Sequence, residues 1–75
     1  MNYICEMQEF KLAGSPYIQL NQLLKASGIV YSGGEAKMLI SEGQVIVNNE
    51  VELRLRRKIK ISDQVQVGDT TLIIV

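Results

Sequence analysis

Leu20, Leu23 and Leu24 stand at the i, i+3, i+4 spacing of one helical face, with Asn21, Gln22 and Lys25 on the others. With Ile18 just ahead, the pattern predicts a short amphipathic helix over about residues 19–27, stopped at Gly28. A second helix is predicted over about residues 33–42. Ser32 and Glu35 have the spacing of a capping box, in which the hydroxyl accepts from an early helix N–H and the carboxylate reaches back. Ala36, Leu39 and Ile40 fall on one face, and Gly43 is the stop. The brief link Ile29-Val30-Tyr31 makes the helices a compact pair, with Val30 or Tyr31 placed to pack over the second helix's first turn.

The remaining pattern has the period of strands. Glu9-Phe10-Lys11-Leu12 alternates and predicts a short strand with Phe10 and Leu12 facing the core. Ala13-Gly14-Ser15-Pro16 is a turn or loop. Val45 to Val47 is a β-branched run, followed by Asn48-Asn49, whose side chains tolerate the positive φ of a tight turn. From Val51 to Ile61 the chain alternates at length. Val51, Leu53, Leu55, Ile59 and Ile61 would line an inner face, and Glu52, Arg54, Arg56, Lys58 and Lys60 an outer one, with Arg57 out of step. The run is long for a strand, so a break is expected near Arg56-Arg57. Ser62-Asp63 marks a turn, and Gln64 to Val67 and Thr70 to Ile74 form a hairpin about Gly68-Asp69. The fold class expected is α+β: two short helices packed on a small, mostly antiparallel sheet. All 75 residues are read as a single domain, with residues 1–7 as a frayed extension because their apolar positions keep no clear period.

Composition narrows the chemistry. Apolar residues make up 47% of the chain, enough for a packed core. One cysteine, Cys5, excludes an internal disulfide, and the absence of histidine removes the commonest general base and the usual zinc sets. Cys5 reads better as a small apolar residue than as a nucleophile. The acids are scattered, with no carboxylate pair set by spacing on one face. The expectation is therefore no catalysis, no cofactor and no metal. The first residues lack a basic start and a long apolar run, which points to a cytoplasmic protein with no membrane association.

Charge distribution then changes the picture. Eight basic and eight acidic residues give a formal net charge of zero. Five of those eight cations, Arg54, Arg56, Arg57, Lys58 and Lys60, lie within seven residues that hold no acid. Isolated edge lysines serve to block aggregation. A denser cluster rich in arginine suits a polyanion, because guanidinium forks match phosphate geometry. Gly33 and Gly34 admit two readings. They only open the helix, or they let a phosphate approach its N–H groups, with Lys37 one turn later on the same face. Only Tyr3, Tyr17 and Tyr31 are available for stacking, so an aromatic platform for single strands is not expected, and backbone and shape recognition of structured RNA fits better.

Three segments together resemble a known family. They are Ile18-x-Leu20-x-x-Leu23-Leu24-Lys25-x-x-Gly28, then Ser32-Gly33-Gly34-Glu35-Ala36-Lys37-x-x-Ile40-x-Glu42-Gly43-x-Val45-x-Val47-Asn48, then Glu52-x-Arg54-x-Arg56-x-Lys58. Their order and spacing are similar to the αL-motif RNA-binding domain, the domain of a small-subunit ribosomal protein, and to its stand-alone short bacterial branch. The resemblance covers about residues 10–75. It implies two helices on a small sheet, with RNA meeting the helix pair and adjoining basic residues. By position it implies RNA contacts from Lys25, Ser32, Gly33, Gly34, Lys37, Arg54, Arg56, Lys58 and, outside the alternation, Arg57. The chain departs from many relatives in having Gln19 and the two glycines where they carry arginine. The function expected is a small monomeric protein that binds structured RNA, ribosomal or transfer RNA among the candidates, mainly through phosphates. The alternative is a protein-interaction module that docks on a ribosome-associated or replication complex.

Overall fold

The computed structural model describes residues 6–75, and the two ends of that stretch lie side by side. Strand β1 (Glu6–Phe10) runs parallel to the last strand, β7 (Thr70–Ile74), with Glu6 opposite Thr70 and Phe10 opposite Ile74. Between them the order is β2 (Ile18–Gln19), α1 (Leu20–Ala26), α2 (Gly33–Ser41), β3 (Val45–Val47), β4 (Glu50–Val51), β5 (Lys58–Ile59) and β6 (Gln64–Val67). The main sheet has the order β1-β7-β6-β3-β4, antiparallel except at β1·β7, and β2 with β5 makes a separate antiparallel ribbon. The architecture is the expected one, two short helices against a small, mostly antiparallel sheet. The first strand lies nearer the N-terminus than expected, because pairing with β7 sets its register. Leu12 still extends the ladder, its N–H donating to the Val75 carbonyl at 2.9 Å, and its side chain is buried. Of the residues expected to fray, Glu6 and Met7 belong to β1. Residues 1–5, Tyr3 and Cys5 among them, lie outside the described stretch.

The helices form for the reasons their sequence gives. Leu20, Leu23 and Leu24 are fully buried, as are Ala36 and, within a percent, Ile40. They meet Val45, Val47, Ile59, Val65, Leu72 and Ile74 in one core, with Leu39 and Phe10 packed at its margin. Of the two residues placed to pack over the second helix's start, Val30 is buried and Tyr31 is 89% exposed. Ser32 caps α2 by accepting from the Glu35 N–H at 3.2 Å. The Glu35 carboxylate reaches back to the Tyr31 N–H at 3.4 Å, one residue beyond the cap N–H that a reciprocal box uses. Gly43 ends the helix turn at φ +74°, where a side chain is strained. Asn48 and Asn49 both take positive φ, 50° and 70°, as a two-residue hairpin turn between β3 and β4 requires.

The long alternation behaves differently. It breaks at residues 52–57, between β4 and β5, close to the expected point. The inner face expected of it does not form: Val51, Leu53 and Ile61 are 57%, 63% and 62% exposed, Leu55 is half-buried, and only Ile59 is fully buried. Glu52, expected outside, is 6% exposed. Once the chain turns at Leu55 and Arg56, a period-2 pattern no longer maps onto one sheet face.

Gly34 in the first turn of α2 and Gly43 just beyond its end should respond in opposite senses to alanine. At Gly43 the new Cβ would meet only Val51 Cγ1, at an ordinary 3.6 Å, so the backbone strain is the main cost. Gly43→Ala is expected to lose about 1–2 kcal/mol. At Gly34, whose φ is not positive and whose added Cβ would lie 3.9 Å from the Ser32 hydroxyl, alanine should gain about 0.5 kcal/mol. Urea unfolding midpoints check the order; a Gly34→Ala protein less stable than Gly43→Ala contradicts it.

Candidate functional site

The loop of residues 52–57 has no ladder of its own, so its shape must come from side chains and neighbours. Glu52 supplies it. Its Oε2 accepts from the Arg54 backbone N–H at 2.9 Å and from Arg54 Nε at 3.0 Å. Its Oε1 accepts from Arg54 Nη2 at 3.0 Å and from Arg57 Nη1 at 2.8 Å. Both oxygens of a buried carboxylate are thus twice satisfied, by two guanidiniums and the main chain. The far side of the loop is tied to α1: the Leu20 N–H donates to the Arg57 carbonyl at 2.8 Å and the Asn21 N–H to the Leu55 carbonyl at 3.0 Å. Gln19 provides no side-chain cap, so these loop carbonyls serve two N–H groups at the helix start.

The electrostatics follow from this geometry. The Arg54 guanidinium holds the Glu52 carboxyl down, from 4.5 to about 2, against the opposing effect of burial, and Arg57 adds to the same side. Arg54 is shifted up in return by the same hydrogen bonds. The sequence places no acid between Arg54 and Lys60, yet the fold supplies one from just outside that window.

The loop and β5 line an open cleft of about 460 Å³, whose walls are Arg54, Arg56, Arg57, Lys58 and Lys60. Among the described residues only Arg54 and Arg57 make ion pairs, both to Glu52. Four of the nine site residues expected from sequence, Arg54, Arg56, Arg57 and Lys58, are brought together here. The other five lie on the helix pair and do not line the cleft: Lys25 on the last turn of α1, Ser32 as the cap of α2, Gly33 and Gly34 in its first turn, and Lys37 one turn on, all exposed. Three residues of the cleft region were not among the nine. Lys60 belongs to the same run of charge. Glu52 carried a signal in its spacing, two and five residues before the arginines it pairs with. Tyr17, whose ring lies under the Lys58 ammonium at 4.9 Å, carried none, since it depends on the pairing of β2 with β5. Among the described residues no cluster of three or more Cys, Asp or Glu side chains is placed to hold a metal. No helix among the described residues is long and apolar enough to cross a membrane.

Comparison with known proteins adds to this. The S4 domain family model matches residues 10–75. The Escherichia coli (strain K12) protein named "Putative RNA-binding protein YbcJ" is 47% identical over 53 residues, 71% of this chain and 76% of that one. The Bacillus subtilis (strain 168) "Probable ribosome maturation protein RlbA" is 42% identical over 50 residues, 67% of this chain and 70% of that one. The solution structure of YbcJ from E. coli, described as revealing an αL motif involved in RNA-binding, superposes with a TM-score of 0.72 at 36% identity. It covers all of this chain, which covers 95% of it.

Glu52 should govern the acid limb of stability. Its folded pKa lies below its unfolded one, so its contribution is complete above about pH 5 and is lost as the pH falls through about 2. Because Arg54 is 74% exposed and screened, that contribution is set at about 1–2 kcal/mol rather than the full value of the shift. Glu52→Gln should be less stable than the parent at pH 7, and the gap should close towards pH 2. Urea unfolding across that range checks it; a gap independent of pH would show that the carboxylate charge contributes nothing.

Proposed function

The chain belongs to the S4 domain family, and from that premise we propose that it is a small RNA-binding protein that holds structured RNA by its phosphates. The observation that supports this most is the cleft lined by five cations with one buried carboxylate behind two of them. The cluster carries a local excess of positive charge on a chain whose formal net charge is zero. The side chains of Arg56, Lys58 and Lys60 make no ion pair among the described residues. Arg54 and Arg57 each keep unused N–H donors after pairing with Glu52, and their forks are held in one orientation before any ligand arrives. Such a surface reads backbone geometry rather than sequence, which suits folded RNA of the ribosomal or transfer class.

The second zone of the reading is the helix pair. Gly33 has no atom within 4 Å of where a Cβ would stand, so a phosphate could come close to the N–H groups at the α2 start, with Lys37 and Lys25 contributing charge. Ser32 is occupied as the cap, and its part is to keep that start in place. The protein acts in this reading as a cytoplasmic monomer, without catalysis, and its relative named for ribosome maturation makes ribosomal RNA the first candidate.

Arg56 and Lys58 are exposed, so their truncation should leave the fold intact. Arg56→Ala combined with Lys58→Ala should weaken binding to a hairpin RNA about tenfold or more at low salt. It should also lower the dependence of log affinity on log salt by roughly 1.5, at about 0.7 to 0.9 for each phosphate no longer neutralised. Fluorescence anisotropy over a salt series measures both. A folded double variant with unchanged affinity and unchanged slope removes the cleft from the interface.

A further inference from the structure

The ribbon of β2 and β5 puts an aromatic ring beside the cleft. Ile18 pairs with Ile59 and Gln19 with Lys58. Ile59 is fully buried, so alternation turns its neighbours Lys58 and Lys60 to the outer face, where both are exposed and line the cleft. Tyr17, one residue ahead of Ile18, stands with them: the Lys58 ammonium lies 4.9 Å from its ring centroid, and 38% of the residue is open to solvent. A cation over a tyrosine holds the ring in place. It also sets a cationic side chain within 5 Å of an aromatic ring on a residue that is partly open to solvent.

We propose that Tyr17 is the seat of a single unpaired nucleobase, so that the ligand is an RNA in which an unpaired nucleotide adjoins a paired stem. The proposal rests on the RNA-binding reading above and adds the class of RNA. The bases of a continuous stem are stacked on one another and offer no free face, whereas a bulged or terminal base does. Cations that hold the backbone on either side of such a nucleotide leave its base to stack on the nearest ring. Base-on-aromatic stacking tolerates any base, so the seat selects for an unpaired position and not for sequence. A single ring takes one base, in keeping with the expectation from sequence that there is no aromatic platform for a longer strand.

The competing role for Tyr17 is to pin Lys58 and nothing more. Three hairpin RNAs separate the two: a stem with a one-nucleotide uridine bulge, the same stem with an abasic bulge, and the stem fully paired. The abasic RNA keeps the bent backbone and removes only the base. Wild type and Tyr17→Phe should bind the uridine bulge about tenfold more tightly than the abasic one. Tyr17→Leu should bind the two equally, at the abasic affinity of wild type, with an amide NMR spectrum that shows the fold kept. If Tyr17→Leu retains the preference, or loses affinity equally for all three RNAs, the seat does not exist and Tyr17 only positions Lys58. If wild type binds the RNAs without a preference for the uridine bulge, the proposal is overturned while RNA binding stands. If it binds none of them, both fall.

Discussion

The buried carboxylate of Glu52 is the constraint on which the shape of the basic cleft depends. A carboxylate taken out of water is costly unless every lone pair finds a donor. Here two oxygens accept four hydrogen bonds, three of them from Arg54 and one from Arg57. That set closes a loop that belongs to no strand, and it does so from one side. On the other side the carbonyls of Leu55 and Arg57 receive the first N–H groups of α1. The loop is therefore held between a side-chain clamp and a helix start, and the helix in turn sets Leu20, Leu23 and Leu24 in the core. Loosening the clamp reaches the core through two main-chain bonds.

The same carboxylate sets the electrostatic character of the cleft. Five cations crowded on a short loop would repel one another in the folded state. One negative charge placed behind two of them relieves that repulsion without covering the outward face. The side chains of Arg56, Lys58 and Lys60 make no ion pair among the described residues, and Arg54 and Arg57 keep the donors that Glu52 does not use. Zero net charge and a strongly basic surface are compatible because the remaining acids are elsewhere on the chain.

Local features were legible in the sequence where their causes are local. The leucine spacing gave the first helix, Ser32 and Gly43 bracketed the second, and Asn48-Asn49 and Gly68-Asp69 marked the two hairpin turns seen. The break in the long alternation could be placed because strands of that length are uncommon. What was misread there depends on partners distant in sequence or on a turn. The register of β1 is set by β7 at the other end of the chain. Glu52 occupied a polar slot of a regular alternation, and only the fold of the loop brings Arg57 back over it. Of the candidate site, the run of cations was legible because it is contiguous. Its division into a cleft and a separate helix-pair zone was not, since it depends on which charges the loop geometry gathers. Tyr17 joins the cleft through a two-residue ribbon that no pattern in the sequence signals.

If RNA sits on the clamped basic loop, its contacts fall on a contiguous run of the chain. An amide NMR titration with a hairpin RNA tests it residue by residue in the native protein. The largest shift changes are expected on residues 54–60 and on Tyr17, with smaller ones at Gly33, Gly34 and Lys37. Changes centred on the β1 edge of the sheet with residues 54–60 unmoved, or no changes at all, would contradict it.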